Sequence, residues 1–179
     1  MDFQAIIDKY YPAGTLRRDI FMKHSRQVAL LALDIMRRKN LPLDPVMVEA
    51  AAMLHDIGVF MTHAPAIGCE GSHRYITHGV LGADLLRREG MPEEIARVAE
   101  RHTGAGITAE DVEMLNLPIP VADYVPRTLL EKLVCYADKF YSKSGTMERK
   151  DFRTARASVA RHGGNGLARF DEMARMFEE

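Results

Sequence analysis

Apolar residues recur along this chain mainly at spacings of three and four, the period of helices that bury one face. Phe21, His24, Val28, Leu31 and Ile35 share one face of a helix predicted from about Arg18 to Arg38, so His24 turns inward with its apolar neighbours. The string NLPLD closes that helix. Asp44 then offers an N-cap with Pro45 at the first helical position, opening a small-residue helix through VEAAAMLHD that Gly58 stops. Residues 59–72 hold Pro65, Gly68 and Gly71 with little periodicity, and they read as a mobile loop able to serve as a lid.

Tyr75 to Glu89 reads as a helix with His78, Leu81 and Leu85 close in phase and Gly90 as its C-cap. A further helix begins at Met91-Pro92, carries Ile95, Val98 and Ala99 toward Arg101 and His102, and breaks at Gly104 and Gly106. The segment LNLPIPVADYVP is a proline-punctuated connector. Thr128 to Tyr141 gives a helix with Leu130, Val134, Ala137 and Tyr141 in phase, and Asp138, one turn past Val134, lies on the core side. A last helical stretch, Leu167 to Phe177, follows a flexible run from His162 to Gly166. No repeat, low-complexity tract or strand pair is evident, so the expected class is all-α.

The length of 179 residues and an apolar fraction of 47% support one domain over 1–179, with a core at about 18–142 and a helical extension at 150–179. Lys and Arg total 24 against 25 Asp and Glu. No global positive field draws such a chain to nucleic acid or to an anionic membrane, and any charge that binds phosphate must be local. Cys69 and Cys135 are too few for a disulfide framework and match no zinc-ligand spacing, which suits a reducing cytoplasm. The start MDFQAIIDKYYPAG carries no secretory pattern, and no uncharged apolar run of about 18 residues suggests a membrane span.

The pair His55-Asp56 ends a nearly apolar helix, where ionisable groups need partners because an unpaired buried charge is costly. A metal is one such partner, and imidazole with carboxylate suits iron, manganese, zinc or nickel better than magnesium. A lone histidine before an acid is more often a capped helix end. Here, however, His24 precedes the pair on an inward face, His78 and His102 follow on helices, and Asp138 comes last. His63 and His73 lie in the loop after the pair, where a lid histidine could protonate a leaving group, although loop histidines are more often simply exposed. His162 is assigned nothing. The two thiols lack a partner that would activate them, and the eleven methionines suit core packing.

The strings KHSRQVALLAL, MLHDIGVF, ITHGVLGADLL, ERHTGAGI and CYADKFYS resemble, in order and residue type, the HD superfamily of metal-dependent phosphohydrolases, over about residues 18–142. The RHTG and ADK strings look most like the small stand-alone HDIG hydrolases, including those that cleave dinucleoside tetraphosphates symmetrically. The resemblance implies an α-helical bundle with a metal site in a central cleft. It implies that His24, His55, Asp56 and Asp138 hold one ion, and that His78 and His102 hold a second with Asp56 as bridge. The ions would be iron, manganese, zinc or nickel, with magnesium as a further candidate. Two cations about 3.5–4 Å apart would activate a bridging water, with Asp56 as the catalytic residue orienting it.

The implied substrate is a small phosphate ester or anhydride, a nucleotide or dinucleoside polyphosphate. Lys139, Arg18 and Arg101 are the candidate cations for its charge. Two departures matter. Thr103-Gly104 follows His102 where cyclic-dinucleotide phosphodiesterases carry a His-His-Glu string and a later GYP, which disfavours that substrate. Val59 and Phe60 stand where many family phosphodiesterases place a lysine, so phosphate contacts must come from elsewhere. A diiron oxygenase and a non-catalytic, metal-stabilised nucleotide-binding module are the rival readings. Self-association is left open, with a homodimer among the outcomes.

Overall fold

The computed structural model of the chain describes residues 2–161 and 165–178. Its first helix, α1 (Phe3–Tyr10), was not expected from the apolar pattern. It is capped by Asp2, whose carboxylate accepts from the Ala5 N–H, and it buries Ile6 and Ile7. Tyr11, just beyond it, donates its hydroxyl to Ile57 O at 3.2 Å and accepts from the Phe60 N–H at 3.2 Å. The N-terminal segment thereby latches the turn that follows His55-Asp56.

The expected helices are present with shifted ends: α2 (Leu16–Arg38), α3 (Pro45–Leu54), α4 (His78–Arg88), α5 (Glu93–Arg101) and α7 (Leu129–Asp138). Asp44 caps α3 through the Val46 N–H, with Pro45 at the first position, as its sequence predicts. Tyr75–Thr77 form a 3₁₀ turn ahead of α4, and α7 ends at Asp138 short of Tyr141. Two more helices were not anticipated individually: α6 (Ala109–Met114), closed by a capping box between Thr108 and Asp111, and α8 (Phe152–Ala160). α9 (Gly166–Phe177) covers the expected last helix. Of the run expected to precede it, residues 162–164, including His162, lie outside the described residues.

The α3 segment from Ala50 to Leu54 is buried on every side, and its alanines let α2, α5 and α7 close around it. Phe170 and Phe177 of α9 pack against Tyr136 of α7 at ring separations of 5.3 and 5.4 Å, tying the C-terminal helices to the core. Among the described residues no helix is long and apolar enough to cross a membrane.

Residues 59–72 differ from the loop that the sequence suggests. A short antiparallel pair, β1 (His63–Ala64) with β2 (Cys69–Glu70), turns around Pro65–Ile67, and Val59, Ile67 and Cys69 are buried with Ile20 and Phe60 packed on them. Gly68 takes the left-handed conformation (φ 72°) that the turn requires. Two-residue strands leave too little alternation to register as a sequence pattern. The buried apolar side chains make this segment a packed hairpin.

Two glycine contacts set how closely the elements approach. A Cβ on Gly58 would collide with His78 O and with the backbone of Gly82, and one on Gly79 would meet Ala99 O at 2.8 Å. Backbone therefore lies directly on backbone where the turn after Asp56 meets α4, and again where α4 meets α5. Gly58→Ala is expected to destabilise the protein by about 3 kcal/mol through overpacking, lowering the melting temperature by roughly 2–4 °C per kcal/mol. Gly166→Ala, where an added Cβ meets nothing within 4 Å among the described residues, should leave it unchanged or raise it. Thermal denaturation of both variants checks this.

Candidate metal centre

Helix ends deliver most of the site. His24 projects from the middle of α2, whereas His55 follows the last residue of α3, His78 opens α4, His102 follows the last residue of α5 and Asp138 ends α7. The last carbonyls of a helix lack intrahelical donors. His55 Nδ1 lies 2.6 Å from Ala52 O and His102 Nδ1 lies 2.8 Å from Ala99 O, so each ring N–H satisfies a carbonyl three residues back. His78 Nδ1 repeats this spacing to Tyr75 O at 2.7 Å. A proton committed at Nδ1 makes Nε2 the coordinating atom of the neutral ring, with the ring orientation fixed.

Those Nε2 atoms converge on Asp56 in two groups. On one side, Asp56 Oδ2 lies 3.1 Å from His24 Nε2 and 3.0 Å from His55 Nε2, and Asp138 Oδ1 lies 3.0 and 3.4 Å from the same two nitrogens. On the other, Asp56 Oδ1 lies 3.3 Å from His78 Nε2 and 3.2 Å from His102 Nε2, which are 3.0 Å from each other. All six residues are at most 8% exposed. These groups suit divalent metal. Ligands at about 2.1 Å from one ion stand roughly 3.0–3.4 Å apart in octahedral or tetrahedral arrangement, and lone pairs facing one another at 3.0 Å repel unless a cation or shared proton lies between them.

Burial alone would raise the Asp56 carboxyl, but the charges of His55 and Lys143 overcome it and hold the group well below the usual carboxylate range. Asp138 is likewise held low against burial, chiefly by Lys139. His55 is pulled the opposite way from its burial, up to about 9, by the carboxylates of Asp56 and Asp138. Burial pushes His102 down to about 4, with the charge of His55 adding to it against the pull of Asp56.

The site opens into a cleft of about 760 Å³ lined by His78, His102 and Asp138. Of the cations singled out in the sequence, Lys139 lines this cleft, donating to Asp138 Oδ2 at 2.7 Å and to His102 O at 2.9 Å. The structure places Arg18 and Arg101 elsewhere. Arg18 donates to Tyr11 O and to Asp8, and Arg101 pairs with the buried carboxylate of Glu131 at 3.1 Å; neither lines the cleft. One residue separates each helix direction by about 100°, so Arg101, next to His102, faces another way. His63 and His73 are exposed and do not line the cleft either.

Lys143 was missed. Its ammonium sits 2.5 Å from Asp56 Oδ2 and 5.9 Å from the centre of the Tyr75 ring. Burial would lower it, but Asp56 first and other anions after it hold the ammonium well above the ordinary lysine range. A basic residue from beyond α7 thus reaches the Asp56 carboxylate. Its string, DKFYSKS, contains the lysine but gives no period that would aim it, because the helix has ended.

The family model for the HD domain matches residues 21–142, from the start of the inward face of α2 to just past Asp138. The chain belongs to the HD domain family. Among curated relatives, it is 36% identical over 141 residues to a tRNA (cytidine(56)-2'-O)-methyltransferase of Thermoplasma volcanium, covering 79% of this chain and 37% of that one. It is 44% identical over 108 residues to an uncharacterised protein of Methanocaldococcus jannaschii, covering 60% and 56% respectively. This HD chain therefore spans between about a third and just over half of these relatives. Among solved structures, the HD domain of the L. monocytogenes phosphodiesterase PgpH in complex with cyclic-di-AMP aligns with a TM-score of 0.58 at 16% identity, over 99% of this chain and 85% of that one. That likeness shows the shared HD fold.

A metal requires neutral imidazoles. His55, raised to about 9, must therefore lose a proton when an ion takes its Nε2, whereas His102, lowered to about 4, is already neutral. Affinity at the His24–His55 group should rise roughly tenfold per pH unit below pH 9, with about one proton released per ion, while His102 adds no slope above pH 5. Titration calorimetry between pH 6.5 and 8, in buffers of different ionisation enthalpy, reads the proton count.

Proposed function

We propose that this protein is a metal-dependent phosphohydrolase that cleaves a phosphate ester or anhydride of a small nucleotide. The observation that carries the reading is the pair of oxygens on one buried carboxylate: Asp56 Oδ2 faces His24 and His55, and Asp56 Oδ1 faces His78 and His102. A carboxylate so placed suits two ions bridged by one residue, with iron, manganese, zinc or nickel favoured by the nitrogen-rich donors. When bound, such ions polarise the phosphoryl group and supply a nucleophilic water at neutral pH.

The chain's own residues do the rest. Nδ1–H donation to Ala52 O, Tyr75 O and Ala99 O fixes three imidazoles before substrate arrives, which avoids reorganisation during the reaction. Asp138, oriented by the Lys139 ammonium, completes the first group. Lys139 and Lys143 set positive charge at the inner end of the cleft, where a phosphate oxygen would need it. The cleft volume of about 760 Å³ lies in the range of small-molecule pockets, roughly 300–1,000 Å³.

A second reading, action on RNA, is favoured by the tRNA methyltransferase relative. The balanced charge of 24 basic and 25 acidic residues gives less support to a long polyanion.

Metal analysis of protein purified without chelator, with hydrolysis assays over nucleotides, dinucleotides and short RNAs, tests both readings. About two transition-metal ions per chain are expected, and Asp56→Ala should lower turnover by more than about a hundredfold, beyond the loss typical of a residue that only supports a ligand. Metal-free protein whose turnover is unchanged in Asp56→Ala would sink the proposal; preference for RNA would select the second reading.

A further inference from the structure

Lysine-rich and apolar surfaces meet in the cleft outside the six ligands. Its lining includes four cations, Lys139, Lys143, Lys150 and Arg169, against two carboxylates, Asp111 and Asp138. Adding Asp56 behind them leaves the cations in excess by one before any metal charge is counted. Lys139 and Lys143 are paired to Asp138 and Asp56. Lys150 is different.

Lys150 is anchored by its backbone N–H, which donates to Phe140 O at 2.8 Å. Its ammonium reaches only Lys139 O, at 3.5 Å, and among the described residues no carboxylate lies within ion-pair distance of it. Burial and the neighbouring charges of Lys139, Arg161 and Lys143 lower it below the ordinary lysine range, against the pull of Asp138. A partly buried ammonium held among like charges is unfavourable unless an anion joins it. Ser158 lines the same cleft with a hydroxyl, and Arg169 is fixed there because Nε and Nη2 donate to Ala105 O and Gly106 O at 2.9 and 2.7 Å. Ile107, Met114, Leu115 and Leu117 supply apolar lining, with Met114 69% and Leu115 59% exposed. An inorganic phosphate would leave that surface uncovered, whereas a nucleobase would cover it.

We propose that Lys150, assisted by Ser158 and Arg169, binds a phosphate group of the substrate other than the one at the metal ligands, so that the cleft selects nucleoside di- or polyphosphates over monophosphates. The inference rests on the phosphohydrolase reading for the placement of the first phosphate. It adds a distal anion subsite to that reading and names the substrate class.

The test compares adenosine monophosphate with the non-hydrolysable adenosine α,β-methylene diphosphate as competitors of bis(p-nitrophenyl) phosphate hydrolysis by the metal-loaded protein. The wild type should bind the diphosphate analogue about tenfold more tightly, the scale of one charge-assisted contact. Lys150→Ala and Lys150→Gln should abolish that ratio, and Lys150→Arg should retain it. An unchanged ratio in the folded Ala and Gln variants, or no preference in the wild type, overturns the subsite. Absence of bis(p-nitrophenyl) phosphate turnover with every metal tried would instead count against the hydrolase reading. Equilibrium dialysis of the same two nucleotides against wild type and variants then still decides the subsite, because it reads binding alone.

Discussion

One buried carboxylate sets the terms for the rest of this molecule. Asp56 has no exposed surface, yet histidines from α2, α3, α4 and α5 aim a nitrogen at one or other of its oxygens within 3.3 Å. Burying such a charge without compensation would cost several kcal/mol, so the helices that carry its partners cannot drift apart independently. The apolar core and the polar centre are therefore a single packing problem. The alanines of α3 bring the backbone of that helix near its neighbours, and the glycines at 58, 79 and 82 bring the turn after Asp56, α4 and α5 into backbone contact.

The glycine of HDIG takes on a physical role in this light. Gly58 leaves room for His78 O, so the turn that presents Asp56 and the first residue of the helix that presents His78 share one contact. Gly79 does the same between α4 and the end of α5, which places His78 Nε2 3.0 Å from His102 Nε2. The geometry of the candidate ligands is thus set by the absence of side chains as much as by the imidazoles and carboxylates themselves.

The parts of this arrangement that were legible in the sequence are those written in helical period. His24, His78 and Asp138 fall in phase with buried apolar residues, α2, α4, α5 and α7 could be drawn from that phase, and α3 from its Asp44 cap and small-residue run. What escaped depends on short or aperiodic segments. α1 and α6 have 8 and 6 residues, too few turns to display a stripe, and the β1–β2 pair has two residues per strand. The hairpin's burial comes from contacts with Ile20 and Phe60, which a local window does not include.

Charge was the least legible part, and the reason is reach. Adjacency along the chain suggested Arg101 beside His102, but adjacent helical residues diverge in direction, and Glu131 takes the guanidinium instead. Lys143 and Lys150 come after α7 has ended, where no period constrains direction, and a lysine stem spans about four methylenes. Both lysines line the cleft because the segment after Asp138 turns back over it and is held at Phe140 O by the Lys150 N–H. That single backbone bond links the positions of the two lysines to α7, and through α7 to Asp138. The inner end of the cleft and Lys150 are consequently tied to the same short stretch of chain, Asp138 to Phe140, so a substrate spanning both would meet groups linked to one another through that bond.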